Sequence, residues 1–164
     1  IVLAFVAAQM IAFFGWSNRG AILAIKGAEV LNTLQLNGIT MFIGFIFIVA
    51  LVNLLMASAS AKWVLLAPIF VPMFMYLDYS PAVTQMAYRV GDSITNPITP
   101  LLAYFPMLLG FARKYDKNMK MGTLISGLLP YSVFFAIMWI ILFAAWLILG
   151  LPLGPGEMIQ YQIQ

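Results

Sequence analysis

The sequence contains no cysteine and no histidine. Their absence excludes disulfides, metal sites built on thiolate or imidazole, and catalytic roles for either residue type from this chain. An enzyme is the least expected class of protein, because no nucleophile and base pair of the usual kind is available. We expect no organic cofactor. A bound ion would have to be a hard cation on oxygen ligands, such as Na⁺, or a proton on a carboxylate.

Charged side chains are also scarce, at 8% of the 164 residues, whereas apolar side chains make up 64%. A soluble domain has about 25% charged residues. The net charge of +3 is small, and the basic residues are not interleaved with aromatic ones as a nucleic-acid site requires, so nucleic acid is not an expected partner. The charge-free tracts 36–61 and 121–156 each exceed the roughly 20 residues that a helix needs to cross a bilayer. These features predict an integral membrane protein in contact with a lipid bilayer.

One polar stretch, 89–100, interrupts the apolar sequence near its middle. Arg89 and Asp92 are three residues apart, so they share a face if the segment is helical. Each charge costs about 2.5 to 3.5 kcal/mol at the centre of a membrane helix, and a chain that tolerates this cost usually needs the charge for function. Pro97 and Pro100 lack backbone N–H donors and disfavour the helical conformation in the residue before them. We therefore predict an unwound break inside a membrane helix.

The order of polar and apolar stretches predicts an all-α fold of transmembrane helices, discontinuous helices and a re-entrant helical hairpin. The predicted segments are a broken transmembrane helix at 1–35, a transmembrane helix at 36–55, the hairpin at 56–80, a discontinuous transmembrane helix at 81–112, a cytoplasmic loop at 113–120, the last transmembrane helix at 121–150 and an external tail at 151–164. The loop is placed in the cytoplasm because it carries four basic residues and one acidic residue.

Local signals refine these segments. The hairpin is expected to have its tip near residues 58–63, where small residues permit close helix packing; an ordinary surface turn is the alternative. The discontinuous helix should start with Ser80 as N-cap and Pro81 in its first turn, with helical halves at 81–91 and 98–112. In the first segment, a simple loop between two helices is as plausible as a broken helix. The chain starts inside an apolar run without an initiator methionine, so we expect a piece of a longer protein.

Broken helices with hydroxyl and amide side chains are typical of secondary transporters, in which helix ends and unwound backbone bind the substrate and the coupling ion. Asp92 is the best candidate for a proton carrier or a Na⁺ ligand, because it is the one carboxylate at an interruption of a membrane segment. Further oxygen ligands are predicted at Asn53, Ser93, Thr95 and Asn96.

Two side chains near the break suit an anionic aromatic substrate. Arg89 would either hold Asp92 ionised or clamp a substrate carboxylate with its planar fork, and Trp63 would stack on a substrate ring. The alternatives are a buried Arg89–Asp92 pair that satisfies only itself and a Trp63 side chain that anchors its helix at the headgroup level. The sequence leaves these alternatives open.

A resemblance to a known family is carried by the runs FFGWSNRGAILAIKGAE, WVLLAPIFVPM and YSPAVTQMAYRVGDSITNPITP. They resemble the carboxy-terminal part of the p-aminobenzoyl-glutamate transporter (AbgT) family, and RVGDSITNPITP is the most specific part. The resemblance implies a homodimeric, bowl-shaped, multi-pass transporter of the bacterial inner membrane, with nine membrane helices and two re-entrant hairpins. The functional positions of the family would fall on Asn53, Ser60, Trp63, Pro81, Arg89, Asp92 and Pro100.

The resemblance also implies a function. Members of the family are secondary active transporters, coupled to H⁺ or Na⁺, that take up p-aminobenzoyl-glutamate, a folate breakdown product, or export sulfonamide-type antimetabolites and so give antibiotic resistance. The resemblance does not choose between uptake and efflux. Two other functions remain open: a dicarboxylate or anion carrier of a related hairpin-containing fold, and an ion channel whose hairpin lines the pore.

Overall fold

The computed structural model describes residues 19–33, 38–56, 58–153 and 159. Within these ranges the chain forms α-helices and one 3₁₀ turn, which agrees with the predicted all-helical class. In chain order they are α1 (Arg19–Thr33), α2 (Ile39–Leu55), α3 (Ala59–Met75), α4 (Pro81–Ile94), the 3₁₀ turn (Asn96–Ile98), α5 (Phe105–Tyr115) and α6 (Met121–Ile148). Most of the first predicted segment and of the predicted external tail lies outside the described residues.

The start of α4 follows the prediction. Ser80 is the N-cap, with its Oγ accepting a hydrogen bond from the backbone N–H of Ala82 at 3.2 Å, and Pro81 occupies the first turn. Proline is favourable there because its missing N–H would have no partner in the helix. The buried residues of α4 recur at intervals of three and four and form the face that packs on the neighbouring helices.

The predicted break lies between α4 and α5, but its bounds differ from those expected. α4 continues to Ile94 instead of ending at 91, and the second half begins at Phe105 instead of 98. The later start has a local cause. Pro106 stands in the first turn of α5, where proline is favoured, whereas Pro97 and Pro100 lie in the 3₁₀ turn and the bends that follow.

The connection between α2 and α3 is shorter than the predicted tip at 58–63. α2 ends at Leu55, and Ser58 caps α3 by accepting a hydrogen bond from a backbone N–H in its first turn. A serine N-cap starts a helix directly after itself. Lys62 and the tryptophan that follows it are therefore part of the first turns of α3 and not of the tip.

Gly91 allows α2 and α4 to pack closely. A Cβ atom added to Gly91 would lie 2.6 Å from the carbonyl oxygen of Ile46 and 2.8 Å from Cβ of Val49. Side chains cannot approach so closely, and only the absence of a Cβ lets the two backbones meet. One turn beyond Val49 on α2, the same contact places Asn53 next to the end of α4.

Aromatic side chains pack the other end of α2. The ring of Phe42 lies 4.9 Å from that of Phe74 on α3 and 5.8 Å from that of Phe143 on α6, measured between centroids. All three side chains are almost fully buried. Phe42 and Asn53 are eleven residues apart, about 16 Å along a helix. Apolar packing at one end of α2 thus supports a polar cluster at the other.

α6 is continuous and apolar. Among the described residues it is the one helix long and apolar enough to cross a membrane by itself, with 28 residues. Neither Gly127 nor Pro130 interrupts it, and large apolar side chains such as Phe134 are exposed along it. α2 and α3 are also apolar, but each has 17 residues. Such an exposed apolar surface suits contact with lipid or with further protein.

The basic loop before α6 is shorter than predicted. α5 continues through Tyr115, so Arg113 and Lys114 stand in its last turn rather than in a loop that begins at 113. Cations are favourable at that end of a helix, because its free carbonyl groups carry partial negative charge. The non-helical part is reduced to residues 116–120.

Candidate functional site

A buried ion pair lies beside the break. The side chain of Lys62, from the first turn of α3, is completely buried, and its ammonium donates hydrogen bonds to Oδ1 of Asp92 and to Oδ1 of Asn53. Asp92 is in the last turn of α4 and Asn53 in the last turn of α2. This is the one ion pair within the described part of the chain. Lysine is almost never fully buried unless it is paired, and here the pairing leaves the cluster neutral.

Asn53 connects the ion pair to the break. Its Nδ2 donates hydrogen bonds to the carbonyl oxygen of Asp92 at 3.0 Å, to Oγ1 of Thr95 at 2.9 Å and to Oδ1 of Asn96 at 3.0 Å. An amide has two N–H groups, so one of them is shared between two acceptors. The opposite orientation of the amide would point its N–H groups at the Lys62 ammonium, and the network therefore fixes which side is oxygen.

Hydroxyl groups hold the backbone of the break. Oγ1 of Thr95 donates to the carbonyl oxygen of Ala50 at 3.2 Å and so attaches the break to α2. Oγ1 of Thr99, which is fully buried, donates to the carbonyl oxygen of Thr95 at 2.7 Å. The carbonyl group of Thr95 is a main-chain acceptor at the end of α4, where regular helical hydrogen bonding stops. The hydroxyl group of Thr99 thus replaces part of the hydrogen bonding that the break removes.

The structure brings four of the predicted oxygen ligands together and leaves one out. Asn53, Asp92, Thr95 and Asn96 share the network around the Asn53 amide. Ser93 does not join it, because its side chain is exposed and its Oγ donates to the carbonyl oxygen of Arg89 at 2.8 Å. The role of these residues in binding an ion stays a prediction.

The cation that pairs with Asp92 is Lys62 and not Arg89, so the Arg89–Asp92 pair, one of the alternatives that the sequence left open, is absent from the structure. Tyr88 and Asp92, four positions apart, lie on the buried face of α4, whereas Arg89 is exposed. An adjacent helical residue points about 100° away around the helix axis. The interval of three residues therefore did not decide the pairing. The role of Arg89 in binding a substrate stays a prediction.

Aromatic rings lie next to the ion pair. The ring of Trp63 is 4.9 Å from that of Tyr88, and the hydroxyl group of Tyr88 donates to the carbonyl oxygen of Ala59 at the start of α3. The guanidinium carbon of Arg89 lies 5.9 Å from the centre of the Tyr88 ring, within the range of a cation–π contact. Trp63, Tyr88 and Arg89 thus form a partly exposed aromatic and cationic group beside a buried polar cluster.

The other predicted positions lie around these two groups. Ser60 is exposed at the start of α3, Pro81 is half-buried at the start of α4, and Pro100 is half-buried within the break. Pro81 is at the opposite end of α4 from Asp92. Their roles stay predictions.

Lys62 and Tyr88 were not among the predicted site residues. The signal for Lys62 was present in the sequence: a single lysine stands in a patch of alanine and serine with no hydrophilic loop on either side. A charge without a polar surrounding in an apolar chain needs a buried partner. The sequence did not show that this partner was thirty residues away, on α4.

The chemistry of the cluster fits a monovalent hard cation, because its oxygens come from a carboxylate, amides, a hydroxyl group and a carbonyl group. No group of three or more metal-binding His, Cys, Asp or Glu side chains occurs in the described ranges. Two oxygens, Oδ1 of Asn53 and Oδ1 of Asp92, are held by the Lys62 ammonium. These oxygens are of the kinds that bind Na⁺, but two of them contact the ammonium of Lys62. Binding of Na⁺ here stays a prediction.

Comparison with known proteins shows which family and which relatives this chain is similar to. The model of the AbgT putative transporter family matches residues 1–161. The chain is 41% identical over 156 residues to the p-aminobenzoyl-glutamate transport protein of Escherichia coli K12, which covers 95% of this chain and 31% of that protein.

Two solved structures have the same fold over nearly the whole chain. The YdaH transporter of Alcanivorax borkumensis matches with a TM-score of 0.85 and 49% identity, over 94% of this chain and 33% of that one. MtrF of Neisseria gonorrhoeae, described as illuminating a class of antimetabolite efflux pumps, matches with a TM-score of 0.80 and 54% identity, over 93% of this chain and 30% of that one. The chain thus spans about a third of the length of the proteins it resembles.

Proposed function

Because this chain belongs to the AbgT family of transporters, we propose that it is the part of a cation-coupled secondary transporter that carries the buried ion pair. The proposed coupling ion is Na⁺ or H⁺. The proposed substrates are small aromatic anions such as p-aminobenzoyl-glutamate, which one relative is named for transporting, or sulfonamide-type antimetabolites, since a second relative is named among antimetabolite efflux pumps. We also propose a homodimer in the inner membrane of a bacterium.

The observation that carries this proposal is the buried Lys62–Asp92 pair at a helix break. Opposite charges inside an apolar protein stabilise it little, and apolar residues of the same volume often do as well. Buried charged groups inside membrane proteins commonly mark ion or substrate pathways, and secondary transporters bind their coupling ions at broken helices. The pair, with the amide of Asn53 as a third partner, lies at such a break.

A re-entrant arrangement follows if the break lies at the depth of the membrane centre. α2 and α3 have 17 residues each, about 26 Å of helix, which is less than the roughly 30 Å of the hydrocarbon core. Their adjoining ends both contact Asp92, in the last turn of α4 before the break, through Asn53 and Lys62. We therefore assign α2 and α3 as the arms of the hairpin, rather than residues 56–80 alone. The irregular backbone at the tip and at the break would then face protein or a water-filled cavity.

The aromatic group suits the proposed substrate. Arg89 is exposed and lies beside Tyr88 and Trp63, so a carboxylate and a ring of one small molecule have partners next to the cation site. Competition would test the substrate class: labelled p-aminobenzoyl-glutamate bound to the protein should be displaced by a sulfonamide and not by succinate. Displacement by succinate alone would favour a dicarboxylate carrier.

The transport proposal is tested by Asp92→Asn in vesicles reconstituted with the full protein that contains this chain. Imposed Na⁺ and pH gradients, applied separately, identify the driving ion in the wild type. We expect Asp92→Asn to lose at least 90% of gradient-driven flux per folded molecule, since the one carboxylate of the cluster is gone. Asp116→Asn is the control, because Asp116 is an exposed acid in the loop before α6. Flux at the wild-type rate in Asp92→Asn would remove Asp92 from coupling.

A further inference from the structure

The side chain of Lys62 is buried more completely than is usual for a lysine. Near a membrane or protein surface, the long side chain normally extends so that the ammonium reaches water. Here the whole side chain, including the ammonium, has no exposed surface, and the ammonium lies where α2, α3 and α4 meet. A lysine that only anchored the hairpin at a surface would not be buried in this way.

The ammonium occupies the part of the cluster that a free cation would need. Its partners are Oδ1 of Asp92 and Oδ1 of Asn53. The carbonyl oxygen of Asp92, Oγ1 of Thr95 and Oδ1 of Asn96 all accept hydrogen bonds from the Asn53 amide instead. A cation that bound to these two oxygens would therefore meet the ammonium, and two positive charges beside one carboxylate repel each other.

We propose that the Lys62 ammonium is a tethered cation that shares the Asp92–Asn53 oxygen site with the transported cation, so that Lys62 and Na⁺ exclude each other. When no ion is bound, the ammonium keeps Asp92 paired, and the empty protein never buries a bare carboxylate. When Na⁺ binds, the side chain of Lys62 leaves the two oxygens. Once Na⁺ has left and the ammonium pairs with Asp92 again, the ion-free carrier can return across the membrane with a neutral site. That the competing cation is transported rests on the proposed function, but the mutual exclusion of Lys62 and Na⁺ does not.

Lys62 lies close to an exposed end of α3. It stands one turn after the N-cap Ser58, which is exposed, next to the short connection with α2. Moving the ammonium out of the cluster breaks its contacts with Asp92 and Asn53 but none of the hydrogen bonds between Asn53 and the break. The oxygen site can therefore keep its form while its cation changes.

Equilibrium Na⁺ binding tests the proposal without substrate and without a gradient. The full protein in detergent, as wild type, Lys62→Met and Lys26→Met, is titrated with radioactive Na⁺ in choline chloride. Methionine keeps an unbranched apolar side chain and removes the charge, and Lys26 is an exposed lysine on α1. We expect Lys62→Met to bind Na⁺ at least tenfold more tightly than wild type, and Lys26→Met to bind as wild type. Equal or weaker binding by Lys62→Met would overturn the proposal.

A measurement on the wild type covers the case in which Lys62→Met folds poorly. The wild-type protein is treated with an amine-reactive reagent in NaCl or in choline chloride at one pH, and labelling of Lys62 is read by mass spectrometry. We expect labelling of Lys62 to rise at least threefold in NaCl, with Lys26 labelled equally in both salts. Equal labelling of Lys62 in both salts would show that Na⁺ does not displace it. Failure of transport with Na⁺-dependent labelling intact would overturn the proposed function and leave the exclusion standing.

Discussion

Two neighbouring stretches of this chain both contain proline, and only one of them is broken. α6 carries Pro130 and remains a continuous helix, and α3 likewise runs through Pro68 and Pro72. The stretch 81–115 is interrupted around Pro97 and Pro100. A proline inside a helix removes one hydrogen bond and bends the axis. Around Pro97 and Pro100 the helix stays interrupted, because side chains such as those of Asn53 and Thr99 form hydrogen bonds with backbone carbonyl groups near the break.

The same two stretches differ in what they bury. α4 and the break bury a carboxylate, two threonine side chains and a glycine contact against α2 and α3. α6 leaves most of its apolar side chains on the outside, where a bilayer or another part of the protein covers them. α4 and the break are therefore closely packed, whereas α6 is not. Substitutions in α4 or the break should lower the free energy of unfolding much more than similar substitutions in α6 or in the loop before it.

The strongest effect on stability is expected at Asp92. In Asp92→Asn the Lys62 ammonium stays buried but loses its counter-charge, and removing one partner of a buried ion pair costs about 3 to 5 kcal/mol. We expect the thermal unfolding midpoint in detergent to fall well below that of wild type. Asp116→Asn, which changes an exposed carboxylate, should unfold at the wild-type temperature.

Removing both charges separates charge balance from hydrogen bonding. Apolar residues of similar volume often replace a buried ion pair at no cost. The double variant Lys62→Met/Asp92→Leu should therefore unfold at a higher temperature than Asp92→Asn. A double variant that is less stable than the single one would mean that the hydrogen-bond network, and not charge balance, holds the break.

Gly91→Ala should be intermediate. The added Cβ meets the backbone oxygen of Ile46 and the Cβ of Val49, and overpacking of this kind costs about 1 to 3 kcal/mol. Gly127→Ala is the matched change in α6, where a Cβ would have nothing within 4 Å. It should be neutral or stabilise by up to about 1 kcal/mol through helix propensity. Equal effects of the two changes on the unfolding midpoint would refute the close α2–α4 contact.

Among the single substitutions Asp92→Asn, Gly91→Ala and Thr99→Val, the last should lower the stability least. It keeps the shape of the buried side chain and removes the hydrogen bond to the carbonyl oxygen of Thr95, which is worth about 1 kcal/mol. Thr123→Val makes the same change at an exposed position in α6, where surface substitutions stay within about 0.5 kcal/mol. Chemical unfolding of both variants measures the difference. A harmless Thr99→Val would mean that the break needs no hydroxyl group there.

The sequence predicted the family, the helical class and the existence of the break. The family resemblance read from RVGDSITNPITP is confirmed by the match over residues 1–161. The helix start at Ser80 and Pro81 was predictable because capping depends on adjacent residues alone. The start of α5 was not placed correctly, because several prolines follow one another and each of them can precede or begin a helix.

The partner of Asp92 could not be predicted from spacing. Arg89 is close in sequence, and Lys62 is thirty residues away. Which of the two meets the carboxylate depends on how α3 packs against α4 and on which side of α4 faces inward. Local patterns fix neither of these. The sequence therefore predicted four side chains that the structure brings together, Asn53, Asp92, Thr95 and Asn96, but not the lysine that pairs with one of them.

We propose that the Lys62–Asp92 pair serves transport and is not only part of the packing. The direct test is flux of p-aminobenzoyl-glutamate into or out of vesicles that contain folded Lys62→Met/Asp92→Leu protein, under the gradient that drives the wild type. The account predicts no gradient-driven flux above that of empty vesicles. Flux at the wild-type rate would show that the two charges are structural, and it would contradict the account.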